Sequence, residues 1–302
     1  MFCLSSLNFQ VNLISPEKTL NFPRFVKRHP SSEITFLKDH LKAERVDVLG
    51  CCGVQFQVHP DNITEELKLE RSRKIDINFI TEDERSVHLL ASDMDGTILE
   101  EECIDEIADV VGKGSEVRSI TAQAMQEGLN FEEALQKRLA LLKGTKLEVL
   151  EHCLSKKINV RPGASVLFKT FKKHFGKTAI LSGGFTYFSD HIQKELEADF
   201  SFANVLEYKE CRLTGKAIGT IVNAEKKLEL MKQLIARQGK NSSKVVAVGD
   251  GNNDIKMISE SGVGISFKGS DHLNLSAKHV LKNSDISAIL FLLGLREEQF
   301  VY

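Results

Sequence analysis

Short apolar runs alternate with amphipathic stretches through most of the chain after residue 86. Runs of this kind are typical of strands buried inside a sheet. They predict four strands, at residues 87–92, 177–181, 244–248 and 263–266. Residues 224–238 carry apolar side chains at helical spacing and predict an amphipathic helix. Strands that alternate with helices predict an α/β fold, here a Rossmann-like parallel sheet covered by helices.

The first 85 residues have a weaker pattern. Residues 46–49 and 54–58 favour short strands and residues 32–42 favour a helix, so we expect a small α/β module. Composition changes near residue 86, because four of the five prolines precede it and 18 of the 20 glycines follow it. Residues 81–85 fit either a linker or an ordinary surface turn. We therefore predict two domains, 1–85 and 86–302, as a chain of 302 residues allows.

Composition and charge exclude several classes of protein. Hydrophobic residues make up 42% of the chain and charged residues 27%, so the chain can bury a core. The net charge of −2 gives no field that would attract nucleic acid or an anionic membrane. No apolar run reaches the length of about 18 residues that a membrane span needs, and the N-terminus lacks the pattern of a signal peptide. We expect a cytoplasmic protein that binds neither nucleic acid nor a membrane.

The six cysteines suggest neither a zinc site nor a disulfide framework. They are scattered and form no CxxC pair. Cys51 and Cys52 stand beside a glycine between two predicted strands, and this setting favours a packed turn over a redox role. A reducing compartment is consistent with this usage.

Three polar clusters follow three of the predicted strands. They are DMDGT at 93–97, SGG at 182–184 and GDGNND at 249–254. The carboxyl ends of parallel strands meet at one edge of a sheet, where ligands bind. We therefore expect the three clusters to converge into one site.

The first and third clusters supply carboxylates. Asp93 and Asp95 are two residues apart, so an extended backbone directs both to the same side. Like charges at one place favour a hard cation such as Mg²⁺, to which Asp250 and Asp254 add further ligands. Taken alone, a DxDGT segment also fits a simple capped turn.

The second cluster suits an anion. Two glycines after Ser182 let the backbone approach a phosphate, and the N–H groups at a helix start favour it. Lys226, near the start of the next long helix, could neutralise the same phosphate. An ordinary tight turn and a solvated surface lysine are the alternatives.

The order of these motifs resembles the haloacid dehalogenase-like phosphohydrolases: DMDGT, a serine after the second strand, a lysine, then GDGNND. The resemblance covers residues 86–302 and implies hydrolysis of a phosphate monoester in two steps. Asp93 would attack phosphorus to form an aspartyl-phosphate, and Asp95 would protonate the leaving group and then activate water. Ser182 and Lys226 would hold phosphoryl oxygens. Mg²⁺ would bind Asp93, the backbone carbonyl of Asp95, Asp250 and, in support, Asp254.

About 80 residues separate the first two strand ends, more than one crossover helix requires. Three helices are predicted there, at 104–111, 116–126 and 131–143, so we expect an inserted helical cap at about 103–160. Arg138 lies in the apolar stripe of the third helix. It either extends to the surface or binds a substrate carboxylate. Glu102 either faces an ammonium group or belongs to a solvated acidic turn.

Within this cap the resemblance narrows to the phosphoserine phosphatases, through ILEEECIDEIADVVG and LNFEEALQKRLALLKG. It implies O-phospho-L-serine as substrate, converted to L-serine and phosphate in the last step of serine biosynthesis. Glu102 would bind the substrate amino group and Arg138 its carboxylate. The remaining contacts would come from Phe131 and Met125 as an apolar wall, and from Ser182, Gly183, Gly184 and Asn253 around the phosphate.

The sequence leaves some alternatives open. Gly96 stands where this family usually has serine, which puts the substrate preference in question. Another small phosphate ester, such as phosphohomoserine or phosphothreonine, would need the same chemistry. Residues 1–85 resemble a degenerate ACT module of the kind that precedes the catalytic domain in bacterial relatives, so a non-catalytic amino-acid sensor is a second hypothesis. A homodimer is also left open.

Overall fold

The computed structural model describes residues 9–14, 45–49, 53–58, 76–127 and 130–302. The helix predicted at 32–42 and the turn at Cys51 and Cys52 lie outside the described residues. Within the part of the chain that is described, no helix is long and apolar enough to cross a membrane.

Four strands near the N-terminus form an antiparallel sheet in the order β2-β3-β1-β4. They are β1 (Phe9–Ile14), β2 (Arg45–Val48), β3 (Gly53–Val58) and β4 (Asp76–Thr81). The two strands predicted in this part of the chain are confirmed as β2 and β3, whereas β1 and β4 were not predicted.

A short helix, α1 (Glu82–Arg85), follows β4. The Thr81 hydroxyl accepts a hydrogen bond from the Glu84 N–H at 3.3 Å, and the Glu84 carboxylate accepts one from the Thr81 N–H at 2.9 Å. This reciprocal pair is a capping box, which starts the helix. The stretch 81–85, for which a linker and a surface turn were both open, is therefore one capped helical turn.

The larger sheet has seven strands in the order β11-β10-β9-β5-β6-β7-β8. They are β5 (Leu89–Ser92), β6 (Lys177–Phe185), β7 (Phe200–Lys209), β8 (Arg212–Ile218), β9 (Val245–Gly249), β10 (Val263–Phe267) and β11 (His279–Leu281). All neighbours are parallel except β7 and β8, which are antiparallel. The predicted Rossmann-like core is confirmed; β7, β8 and β11 were not predicted.

In the described part of the chain, ten α-helices follow α1. They are α2 (Cys103–Val110), α3 (Gly114–Glu127), α4 (Phe131–Leu141), α5 (Leu147–Lys156), α6 (Ala164–His174), α7 (Thr186–Glu195), α8 (Ala224–Ala236), α9 (Ile255–Glu260), α10 (Asp271–Ser276) and α11 (Ala288–Leu292). Helices α2 to α5 lie between β5 and α6 in the chain. An antiparallel bridge between Leu99 and Val160 joins the two segments that lead into and out of them.

Helices cover both faces of the sheet. Because side chains alternate along a strand, Leu89 and Ala91 of β5 pack against α8 and α9, whereas Leu90 belongs to the cluster that includes α6 and α11. A sheet covered in this way presents its polar groups only at strand ends. The site is therefore expected at the carboxyl ends of β5, β6 and β9.

Strand β4 of the small sheet lies against the edge strand β11. The buried Asn78 side chain donates to the Val280 carbonyl at 3.1 Å and accepts from the Val280 N–H at 2.9 Å. Asp76 accepts hydrogen bonds from the backbone and the hydroxyl of Ser284, at 2.9 and 2.7 Å. Side chains thus satisfy backbone groups next to a sheet edge that would otherwise be unpaired.

Candidate active site

A buried lysine joins two of the strand-end aspartates. Lys227 Nζ lies 2.7 Å from Asp93 Oδ1 and 2.8 Å from Asp254 Oδ1, and its side chain has no exposed surface. Lys226, the lysine chosen from the sequence, instead pairs with Glu229 at 2.9 Å on the outer side of α8. The assignment of Lys226 to this site is therefore wrong, and Lys227 takes its place.

The helical geometry of α8 explains this correction. Lys227 lies four residues before Met231 and seven before Leu234, so it continues the buried apolar stripe. Lys226 is rotated from that stripe by about 100°. The spacing was present in the sequence and would have selected the right lysine.

Three carboxylates cluster beside this lysine. Ligand atoms of Asp93, Asp250 and Asp254 all lie within 4.8 Å of one another. Burial, followed by the charge of Asp93, raises the pKa of Asp250 to about 6. The same two causes raise the pKa of Asp254, while the charge of Lys227 opposes them. A compact set of carboxylate oxygens with unrelieved negative charge fits a hard divalent cation.

Hydrogen bonds fix the orientation of this cluster. The Thr97 hydroxyl donates to Asp250 Oδ1 at 2.7 Å, the Met94 N–H donates to Asp93 Oδ1 at 2.7 Å, and the Gly251 N–H donates to Asp254 Oδ2 at 3.0 Å. Thr97 belongs to the DMDGT motif, yet the sequence alone assigned it no role. It links the first cluster to the third.

Asp95 is buried beside Asp93 and is held at the start of α2. Its Oδ1 accepts a hydrogen bond from the Cys103 N–H at 3.1 Å. Burial raises the pKa of Asp95 to about 7. A hydrogen bond with the Cys103 side chain lowers this pKa, and the charge of Asp93 raises it further. A carboxyl group with a pKa near neutrality can both donate and accept a proton at physiological pH.

The SGG segment ends β6 and closes tightly on its neighbours. The Ser182 hydroxyl oxygen accepts a hydrogen bond from the Gly184 N–H at 2.8 Å. A Cβ on Gly183 would lie 2.9 Å from Phe131 Cζ and 3.5 Å from Asn253 Nδ2. A Cβ on Gly184 would collide with the Asp95 carboxylate. The glycines therefore allow all three clusters and Phe131 to meet, and the predicted convergence of the three clusters is observed.

Arg138 and Glu102 face this site from α4 and from the N-cap of α2. Arg138 is half-buried; its Nε donates to the Ala134 carbonyl at 3.3 Å and one terminal nitrogen lies 3.5 Å from the Thr121 hydroxyl. Burial lowers the pKa of Arg138, and the charges of Glu102, Asp105 and Asp95 oppose that change. Arg138 is therefore partly buried between α3 and α4, and its predicted contact with a substrate carboxylate stays a prediction.

Glu102 is the carboxyl group on this side. Desolvation, followed by the charges of Asp95 and Asp250, raises the pKa of Glu102. Met125 lies within α3, and its predicted contact with substrate stays a prediction.

Gly96, the departure from the serine usual in this position, occupies a restricted turn. Its φ is +70°, and a Cβ there would lie 2.5 Å from Asp250 Oδ2. Glycine adopts this left-handed conformation without strain. In this chain a serine at position 96 would require the turn or the Asp250 carboxylate to move.

The fold and site define a class of α/β proteins that carry paired aspartates, a lysine and further carboxylates at the strand ends of a parallel sheet. A family model for haloacid dehalogenase-like hydrolases matches residues 90–259. The chain belongs to that family.

Several known proteins are similar to this chain. A phosphoserine phosphatase of Archaeoglobus fulgidus is 42% identical over 199 residues, which cover 66% of this chain and 55% of that protein, so the match spans about half of that relative's length. A HAD family hydrolase from Salmonella enterica serovar Typhi has a TM-score of 0.81 at 25% identity, over 95% of this chain and 98% of that one. The solved structure of a phospho-aspartyl intermediate analogue of phosphoserine phosphatase has a TM-score of 0.65 at 36% identity. The match covers 68% of this chain and 99% of that one.

Proposed function

We propose that this protein is a Mg²⁺-dependent phosphatase that hydrolyses O-phospho-L-serine to L-serine and phosphate. The observation that carries the proposal is the placement of opposite charges around one site. Asp93, Asp95 and Lys227 form a reactive centre, and Arg138 and Glu102 lie within electrostatic reach of it. An amino acid esterified with phosphate carries the matching charges.

Asp93 is the nucleophile in this proposal. One of its oxygens forms a bond to phosphorus while the ester P–O bond breaks, and the leaving alkoxide takes a proton from Asp95. Asp95, now a carboxylate, removes a proton from the water that attacks the aspartyl-phosphate, which releases phosphate and restores Asp93. A pKa of about 7 for Asp95 suits both directions of transfer.

Lys227 and the SGG segment position the phosphoryl group. Lys227 holds the Asp93 carboxylate at 2.7 Å and offsets its charge as the anionic ester approaches. The Ser182 hydroxyl, the Gly183 N–H and the Asn253 amide would supply hydrogen-bond donors for phosphoryl oxygens, and the Gly184 N–H, which donates to the Ser182 oxygen, orients that hydroxyl. These groups act by orientation and by charge neutralisation.

The carboxylate cluster holds the metal in this proposal. Mg²⁺ would bind Asp93, the backbone carbonyl of Asp95 and Asp250, with Asp254 in support. When bound, it neutralises charge on the phosphoryl group and on the aspartates. Thr97 keeps Asp250 oriented toward this place.

Substrate selection belongs to the segment between β5 and α6. Arg138 binds the substrate carboxylate and Glu102 its ammonium group, while Phe131 and Met125 form the apolar wall. The contact of Phe131 with Gly183 supports this arrangement, because it brings the N-terminus of α4 over the phosphate site. Accordingly, we assign residues 103–160 to a cap on a catalytic domain of residues 86–302.

We also propose that residues 1–85 form an ACT-like module. An antiparallel four-stranded sheet supports this assignment. The structural similarity to the Salmonella hydrolase extends over 95% of the chain and so is not confined to the catalytic domain.

A substrate panel tests the proposed function. Phosphate release is measured from O-phospho-L-serine, phosphothreonine, phosphohomoserine and p-nitrophenyl phosphate, each with Mg²⁺ and with EDTA. We expect Mg²⁺-dependent turnover with a strong preference for O-phospho-L-serine. Turnover of the generic ester alone would reject the substrate and keep the chemistry. No turnover of any ester would favour the amino-acid sensor.

A further inference from the structure

A buried asparagine on β7 lies between two segments of the active site. Asn204 is 1% exposed, and both ends of its amide are used. Its Nδ2 donates to the Gly183 carbonyl at 2.8 Å, and its Oδ1 accepts from the Val222 N–H at 2.8 Å. None of the roles proposed above includes this side chain.

The first of these bonds holds an irregular part of β6. Leu181 pairs with Phe202 and Phe185 pairs with Asn204, so residues 182–184 on β6 face a single residue on β7. A bulge of this kind leaves backbone groups without ladder partners. The Asn204 amide supplies the donor that the Gly183 carbonyl would otherwise lack.

This bond also sets the direction of the peptide between Gly183 and Gly184. In a planar trans peptide the C=O and the N–H point in opposite directions. With the Gly183 carbonyl turned toward Asn204, the Gly184 N–H points the other way and donates to the Ser182 hydroxyl oxygen at 2.8 Å. The hydroxyl proton of Ser182 is then left to donate elsewhere.

The second bond of Asn204 reaches the start of α8. Val222 precedes Asn223, the N-cap residue, whose side chain accepts from the Lys226 N–H at 2.9 Å. Lys227 follows in the first turn of this helix and contacts Asp93. One amide therefore ties the bulge that carries Ser182 to the helix start that carries Lys227.

We propose that Asn204 is a positioning residue that fixes the spacing between Ser182 and Lys227, and so the fit of a tetrahedral phosphate between them. The inference rests on the proposed function in that it takes this site to bind phosphate. Asn204 itself does not touch the phosphate.

The test compares Asn204→Ala and Asn204→Asp with a matched control, Asn78→Ala. Asn78 is also 1% exposed and makes two hydrogen bonds to one backbone residue, but it lies on β4 against β11. Asn204→Asp keeps an acceptor for Val222 and loses the donor to Gly183. The full-length protein with Mg²⁺ is used, and the probe is inorganic phosphate.

Two readouts are measured: the inhibition constant of inorganic phosphate against p-nitrophenyl phosphate, and the melting temperature. We expect both Asn204 variants to weaken phosphate inhibition about tenfold, as the loss of one well-placed hydrogen bond would do. Asn78→Ala should lower the melting temperature to a similar extent and leave phosphate inhibition within about twofold of wild type.

Equal phosphate inhibition in the Asn204 and Asn78 variants would overturn the proposal. If Asn204→Ala does not fold, Asn204→Asp carries the comparison, because it keeps the side-chain volume and one bond. Calorimetric titration with phosphate gives the same comparison without turnover. Inactivity toward O-phospho-L-serine would therefore reject the proposed substrate, whereas the phosphate measurements alone decide the role of Asn204.

Discussion

The two adjacent lysines of α8 permit a sharp test of the active-site assignment. Lys227→Met removes the buried charge and keeps a side chain of similar length, and Lys226→Met is the matched control. In the native protein Lys227 Nζ lies 2.7 Å from one carboxylate and 2.8 Å from another, with no exposed surface. Its removal leaves Asp93 and Asp254 without their shared positive partner.

The size of the effect follows from that burial. Breaking a buried ion pair by removing one partner costs about 3–5 kcal/mol. Protonation of Asp254, whose pKa burial already raises, recovers part of this cost. If about 3–4 kcal/mol of this cost raises the activation free energy, the rate falls about 100- to 1000-fold. Lys226 makes a surface pair with Glu229, and such a pair contributes about 0–1 kcal/mol.

The assay is kcat for O-phospho-L-serine and for p-nitrophenyl phosphate, with the melting temperature measured alongside. We expect Lys227→Met to lose activity on both esters, because its partners belong to the reactive centre. Lys226→Met should stay within about threefold of wild type. A Lys227→Met enzyme within about tenfold of wild type, or a larger loss in Lys226→Met, would contradict the placement of Lys227 in the active site.

Three further predictions concern other parts of the site. Arg138→Ala should lower kcat/KM for O-phospho-L-serine about 30-fold or more and leave that for p-nitrophenyl phosphate unchanged, because only the first ester has a carboxylate. Steady-state assays of both esters measure this, and equal losses would contradict it. Gly184→Ala should lower kcat about 100-fold because its methyl group displaces the Asp95 carboxylate, and near-normal kcat would be inconsistent with that packing. Burial raises the pKa of Asp95 to about 7 and of Asp250 to about 6, so the folded protein keeps protons that the unfolded chain releases. In EDTA the free energy of unfolding should then fall as pH rises from about 4 to about 7, and Mg²⁺ should reduce the fall; thermal unfolding at both pH values measures this.

The parallel, helix-covered sheet and the convergence of three clusters could be predicted from the sequence because they depend on local signals. Each of β5, β6, β9 and β10 contains a short apolar run, and the three clusters lie at the carboxyl ends of β5, β6 and β9. In a parallel sheet this placement requires the clusters to share one edge.

The strands that were not predicted have no such signal. In β7 Ser201 and the buried Asn204 interrupt the apolar residues, and much of the strand is half-buried or exposed. Strand β11 has three residues, too few to show a period. Their positions follow from pairing with neighbours, which only the tertiary structure supplies.

The spacing of apolar residues in α8 distinguishes Lys227 from Lys226. Lys226 and Lys227 have the same chemistry, and only their rotation about the axis of α8 separates them. The apolar stripe of that helix points to Lys227. The roles of Thr97 and Asn204 could not be derived in this way, because their partners lie more than 15 residues away in the chain.

The proposed role of Asp93 as nucleophile is tested most directly by asking whether the phosphoryl group of O-phospho-L-serine is transferred to Asp93. The protein is mixed with substrate labelled in the phosphate and with Mg²⁺, quenched rapidly in acid, digested and mapped for the label. We expect a transient label on the peptide that contains Asp93, and none in Asp93→Asn. Release of phosphate with no labelled enzyme, or a label on another residue, would contradict it.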